Sequence, residues 1–200
     1  MAYTRAVKPN QVLAAVNVFA FDLGAPALAS TNRIVTTHSM SRTAMTIANA
    51  ASADGLPRNV TVTATQAGGS DDTAATVTVT GTNVSGAVIT EDIVPTNGST
   101  VAGTKAFKTV TSAVQAAWVA GGTADTVVVG FGALVGFPAS LFTQQAPITA
   151  ASQMLVATLG GAVVTSPAFT FDADEIEKNT VDGSASTYNG TKKLVVLTYR

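Results

Sequence analysis

The side chains able to do chemistry are few, and His38 is the only histidine in 200 residues. It stands in IVTTHSMS beside Ser39 and Ser41, a neighbourhood that raises acyl transfer, since a serine next to an imidazole base can become a nucleophile. A hydrolytic triad also needs an orienting acid and an oxyanion site gathered by the fold, and no G-x-S-x-G stretch is present. The expectation for His38 is a hydrogen-bonded or exposed residue near a strand end. FDADEIEKN is the most acidic stretch, with Asp172, Asp174, Glu175 and Glu177 close together. Hard cations favour such clustered oxygens, and Asp172 with Asp174 supplies the first two positions of a calcium-type D-x-D loop. Ile176 and Glu177 stand where that loop needs its third ligand and its glycine. On a strand, Asp172 and Asp174 would face away from Glu175 and Glu177. The stretch is therefore expected to form a solvated or partner-facing acidic edge rather than a metal site.

The remaining candidates give way in the same manner. Asp71 and Asp72 fall in turn-like sequence, and Glu91 and Asp92 are adjacent in strand-like sequence, where neighbouring side chains point to opposite faces and cannot flank one substrate. Charges on an exposed strand, including Lys105 and Lys108, instead discourage uncontrolled edge pairing. GFGALVG contains G-x-G but lacks the third glycine of a dinucleotide fingerprint and no helical pattern follows it. Catalytic residues, cofactors and metals are all expected to be none, and the chain is not expected to be an enzyme.

Composition narrows the classes further. Apolar residues make up 46% and charged residues 12%, about half the usual charged share of ~25%. Thr, Ser, Asn and Gly must then solvate the surface, and such a surface is weakly defended against association. A net charge of −1 offers no basic face for displacing counterions from DNA or RNA, so direct nucleic-acid binding is not expected. Zero cysteines exclude disulfides and thiolate chemistry and leave the redox compartment open. No apolar run reaches the ~18 residues of a membrane span, and no membrane association is expected.

What positions these residues is a series of strands. In NVTVTATQ, Val60, Val62 and Ala64 alternate with Thr61, Thr63 and Thr65, and ATVTVTGT repeats the pattern with Val77 and Val79. Period-two alternation of β-branched residues marks half-buried strands. The intervening AGGSDD is turn chemistry, and the two strands are expected to form a hairpin. A second turn at NVSG leads to a strand in AVITEDIV. Further strands are expected near Phe107 to Val114 and in ADTVVVGFG, whose continuous valines suggest burial on both faces. Two short strands should hinge at Gly160 and Gly161, and KLVVLTYR should close the series. Strands recurring every ten to fifteen residues, without long amphipathic helices, predict an all-β fold. The expected architecture is an antiparallel β-sandwich or jelly-roll-like barrel with an extended N-terminal arm: residues 1–30 the arm, residues 31–200 a single β body. The arm loosely imitates a secretory signal, with Arg5 and Lys8 before VLAAVNVFAF and APALAS. Asn17 and Asp22 interrupt it, and it is read as part of the mature protein. An extended conformation is favoured there, with a helix over residues 10–20 as the competing reading.

The run RNVTVTATQAGGSDDTAATVTVTGTNVSGAVITEDIVPTNGSTVAGTKAFKTVTSA, followed by DEIEKNTV and a closing LVVLTYR, resembles structural proteins of tailed-phage virions. The small β-rich proteins that decorate or cement the capsid are the nearest likeness, over about two-thirds of the chain. That resemblance implies a place on the outer capsid surface of the virion and a major capsid protein as partner. It also implies a homo-oligomer, with a trimer favoured. It brings no catalytic residues. The interface candidates are the aromatic residues Phe19, Phe21, Trp118, Phe137 and Phe142, because aromatics are enriched at interface hot spots; ordinary core packing is the alternative for each. Two further readings compete: a tail-tube or connector subunit of the virion, and a surface- or glycan-binding β module.

Overall fold

The structure, a computed structural model, describes residues 18–39, 44–65, 75–96, 98–116, 125–137, 156–165, 167–172, 174–183 and 188–199. Thirteen strands and one short 3-10 turn account for its regular elements. Every strand pairing is antiparallel. The all-β sandwich or barrel expected from sequence is the fold found.

The Val and Thr alternation forms strands where expected but pairs them differently. Strand β3 (Arg58–Thr65) buries Val60, Val62 and Ala64, and β4 (Val77–Thr82) buries Val77 and Val79. They are not a hairpin. β3 pairs with β6 (Thr100–Phe107) on one side and β8 (Thr126–Gly136) on the other. β4 pairs with β5 (Val88–Ile93) and β7 (Thr109–Gln115) in a separate three-stranded sheet. Both valine faces enter the same core from facing sheets, a solution that alternation permits equally well, because period two fixes which side of a strand is buried and not which strand lies beside it. The expected turn at residues 66–74 lies outside the described residues. The strand expected near Phe107 to Val114 is likewise divided. β6 ends at Phe107 and β7 starts at Thr109, so the chain changes sheets at Lys108, whose N–H donates to the Thr82 carbonyl.

β8 is the spine of the main sheet. β3 runs along one side, while β2 (Ser30–Ser39) and β12 (Thr180–Asp182) share the other, with β11 (Ala168–Thr170) outside β12. Val127 and Val129 are buried and Val128 is half-buried. Gly130 lets β2 approach: a Cβ there would lie 2.0 Å from the Ser30 carbonyl oxygen. A terminal sheet pairs β1 (Val18–Asp22) with β13 (Leu194–Tyr199), β9 (Val156–Leu159) and β10 (Ala162–Val163) in that order. Gly160 and Gly161, at φ 60° and 86°, turn β9 into β10, the left-handed pair that a tight hairpin favours. Of the stretch assigned to the arm, residues 18–22 are thus a strand of this sheet, and residues 1–17 lie outside the described residues.

Two cores result. The first contains Ile34, Val60, Val62, Val77, Val79, Ile93, Phe107, Val127, Val129 and Phe131 and lies between the main and three-stranded sheets. The second, under the terminal sheet, contains Leu23, Val135, Phe137, Leu159, Val181, Tyr188, Leu194 and Val196. β8 serves both. Around the first core the sheets curl toward a barrel. On one side residues 44–50 bridge the gap: Met45 N–H donates to Ala113, Ala50 accepts from Val110, and Ala48 N–H donates to Ile34 of β2. On the other side β5 and β6 face each other without forming a strand pair.

Candidate interaction surface and buried polar centre

The outer face of the three-stranded sheet is the most distinctive exposed surface. Its cross-strand rows are Val88, Thr82 and Thr109; Thr90, Thr80 and Ser112; and Asp92, Thr78 and Val114. Asp92 is the one charged residue in these rows, and its carboxylate accepts a 2.6 Å hydrogen bond from Thr78 Oγ1. Thr82 and Thr109 share a 2.6 Å hydroxyl contact. The threonines thus satisfy part of their polarity along the sheet. Val88 is 74% exposed, Val94 just past β5 is 59% exposed and Val114 is 41% exposed. This is a low-charge face of methyl groups and hydroxyls, chemistry suited to another weakly charged surface.

Of the aromatic interface candidates, Phe137 sits in the second core at 1% exposure. Phe21 of β1 is half-buried and meets it edge-on, with ring centroids 6.2 Å apart. Phe171 lies 6.1 Å from Phe137, and Phe169 stacks on Phe171 at 6.1 Å. Phe19 is in β1 opposite Thr198. Trp118 and Phe142 lie outside the described residues.

A buried polar centre joins the two cores. Arg58, at the start of β3, is 2% exposed. Its Nη2 meets Asp54 Oδ2 at 2.5 Å and donates to the Ala27 carbonyl at 2.6 Å, while Nη1 donates to Gly132 of β8 at 3.0 Å. The guanidinium also lies 5.4 Å from the centre of the Tyr188 ring, a cation–π geometry. Arg58 Nε is buried with no hydrogen-bond partner. Burial pushes the Asp54 carboxyl up, but hydrogen bonds from Ser52, Ala27, Arg58 and Leu56 outweigh it and hold the group below the ordinary carboxylate range. Burial raises the Tyr188 phenol, whose oxygen accepts from Gly183 N–H at 2.8 Å. Sequence reading passed over this centre. The signal was Asp54 four residues before an arginine that opens an apolar strand, a position costly for a charge unless it is paired.

The acidic stretch forms a tied loop. Asp172 Oδ1 accepts from the N–H groups of Asp174 and Glu175, and Asn179 Nδ2 donates to the carbonyl of Asp172. The chain then makes a 3-10 turn at Ile176–Lys178. Lys105 of β6 reaches Glu175 at 2.7 Å and Glu177 at 3.6 Å, Lys178 pairs with Glu175, and Asn83 Nδ2 donates to Glu177 at 3.2 Å. The acids are therefore split between two lysines and an amide. Among the described residues no three His, Asp or Glu side chains are grouped to hold a metal ion. His38 is buried in β2 opposite Val127, with Ser39 next to it; Ser41 lies outside the described residues. Among those residues no helix is long and apolar enough to cross a membrane.

No protein-family model matches the chain, and neither a curated protein nor a solved structure does.

Proposed function

We propose that this chain is a structural virion protein that decorates a tailed-phage capsid and stabilises it by bridging major capsid protein subunits on the outer surface. The observation that carries the reading is the outer face of the three-stranded sheet, where Val88, Val94 and Val114 stand exposed among threonines with Asp92 as the lone charge in its rows. Such a face costs little to desolvate, because the hydroxyls of Thr78, Thr82 and Thr109 already share hydrogen bonds and it has almost no charge to strip of water. Bridging requires many copies on a repeating lattice, and weak contacts repeated there become strong collectively. The resemblance in residues 58–113 supports the same role.

The test is addition of the purified protein to shells that lack it. Binding should occur at a fixed ratio to the shell protein and raise the temperature at which shells open. Failure to bind such shells overturns the proposal. A label found in the tail instead would favour the tail-tube or connector reading.

A further inference from the structure

Asn83, the first residue past β4, is 4% exposed and opens the turn into β5. Its side-chain amide is held at both ends. Oδ1 accepts from Ser85 N–H at 3.0 Å, Ser85 Oγ at 2.8 Å and Ala87 N–H at 3.1 Å, while Nδ2 donates to Glu177 Oε2 at 3.2 Å. Donors on one side and a carboxylate on the other leave the amide oxygen and nitrogen a single assignment. Glu177, in the 3-10 turn, is 7% exposed, and its Oε1 lies 3.6 Å from Lys105 Nζ of β6. One buried carboxylate therefore stands between an amine and a side-chain amide that belong to facing sheets.

The bonds to Asn83 Oδ1 shape the turn, and they also make its carbonyl carbon an electrophile. Donors converging on a carbonyl oxygen stabilise the charge that gathers there under nucleophilic attack. A deprotonated lysine amine is such a nucleophile, and a carboxylate that touches both nitrogens can carry protons from one to the other. We propose that Lys105 and Asn83 condense into an isopeptide bond within the chain, with Glu177 as the proton carrier. Glu177 takes one proton from the Lys105 ammonium, and the freed electron pair attacks Asn83 Cγ. The oxyanion formed rests on the donors from Ser85 and Ala87. A second proton passes from Nζ by way of Glu177 to Nδ2, and the Cγ–Nδ2 bond breaks with its electrons on departing ammonia. No oxidant or other reactant is needed, and the event occurs once per molecule.

Glu175 opposes it. Its carboxylate holds Lys105 Nζ at 2.7 Å and keeps the amine charged above the ordinary lysine range, against the opposite pull of burial. The flexible end of Lys105 must swing from Glu175 to Glu177, which makes the condensation slow. The product ties the end of β4 in the three-stranded sheet to β6 of the main sheet, on the side where β5 and β6 form no ladder. This inference does not depend on the capsid reading.

The test follows the mass of the purified full chain held folded at neutral pH. It should fall by one ammonia. Because an asparagine can also lose ammonia by cyclising, the bond is located by digestion with trypsin and a glutamate-specific protease. Residues 59–91 and 92–108 are separated by the cut after Glu91, and they should stay joined, since an acylated Lys105 is no longer a tryptic site. Lys105→Arg, which keeps the charge, and Glu177→Gln should fold with wild-type circular dichroism and remain unlinked, and the linked chain should melt several degrees above Lys105→Arg because its closed loop restricts the unfolded state. Glu175→Gln should link faster. A wild-type chain that releases the two peptides separately overturns the proposal, and linkage undiminished in Glu177→Gln overturns the role given to that carboxylate. Neither result touches shell binding, so the two readings fail separately.

Discussion

The Asp54 carboxylate and the Arg58 guanidinium meet at 2.5 Å with both side chains almost sealed from solvent. Neither charge could stay there alone. Ala27, Ser52, Leu56 and Gly132 add hydrogen bonds to all of the pair's polar atoms but Arg58 Nε, so the pair clasps the segment before β2, the entry to β3 and the middle of β8 together.

Breaking that pair should be among the most damaging single changes in the molecule. Arg58→Met strands the Asp54 carboxylate, and Asp54→Ala strands the guanidinium; each should cost about 3–5 kcal/mol. For a chain of this size that corresponds to a drop in Tm on the order of 10 °C. The double variant should lose clearly less than the sum of the two, since the second change removes the orphaned charge the first one leaves. Thermal unfolding of all four proteins measures the coupling, and strict additivity would contradict it.

The same carboxylate sets the acid limb of stability. Asp54 titrates below its ordinary range in the folded chain, so the unfolded chain binds its proton first as pH falls. Its contribution is fully present above the ordinary carboxylate pKa of about 4 and is lost as pH drops through the depressed folded value. Asp172, held down chiefly by the Glu175 and Asp174 N–H groups, and Glu175, held down chiefly by Lys105, act in the same direction from the surface. Lys105 and Lys178 are raised by Glu175, so their share is present below the ordinary lysine range and fades only in strong alkali. Tm should therefore be flat near neutrality and fall below about pH 4, and Asp54→Asn, measured against its own neutral value, should show a shallower acid fall.

Close strand approach makes certain glycines irreplaceable. At Gly130 an added methyl would meet the Ser30 carbonyl, and at Gly81 it would meet the Thr109 carbonyl, each at 2.0 Å. Backbone cannot step aside as a flexible side chain can. Gly130→Ala and Gly81→Ala should each cost at least about 1–3 kcal/mol, the usual cost of overpacking, whereas Gly103→Ala meets only the movable Glu91 side chain and should cost less. Denaturant midpoints rank the three.

The exposed valines should separate folding from assembly. Val88→Asp and Val114→Asp lie on the open face, where substitutions change stability by roughly 0.5 kcal/mol or less. Both should fold with unchanged midpoints yet lose shell binding by tenfold or more, because a carboxylate must be desolvated in the contact. Retained binding by both would remove this face from the proposed role.

Local patterns in the sequence located the strands well. NVSG does turn β4 into β5, with Asn83 Oδ1 accepting from Ser85 and Ala87 N–H and Gly86 at φ 84°. Gly160 and Gly161, the valines of β8 and the closing strand were equally readable. Partnership was not: Val60 and Val77 carry the same alternation yet stand in different sheets, because pairing depends on distant strands such as β8, whose Val129 lies opposite Val62 from 67 residues further along the chain. The buried Arg58 centre escaped for the same reason, drawing on Ala27, Gly132 and Tyr188. The acidic stretch, expected as a solvated or partner-facing edge, is a loop with a 3-10 turn at Ile176–Lys178, its backbone tied by Asp172 and Asn179.

The terminal sheet joins Val18 to Tyr199 and Asp22 to Val195, so its first strand can find its neighbour only after Val195, 173 residues beyond Asp22, has been made. Loops of that length are slow to close, and folds dominated by such distant pairings mature in milliseconds to seconds rather than microseconds. During that delay β1 is an unclaimed ribbon, and its fate in a crowded cell is decided by whether its own chain or a neighbouring nascent chain reaches it first.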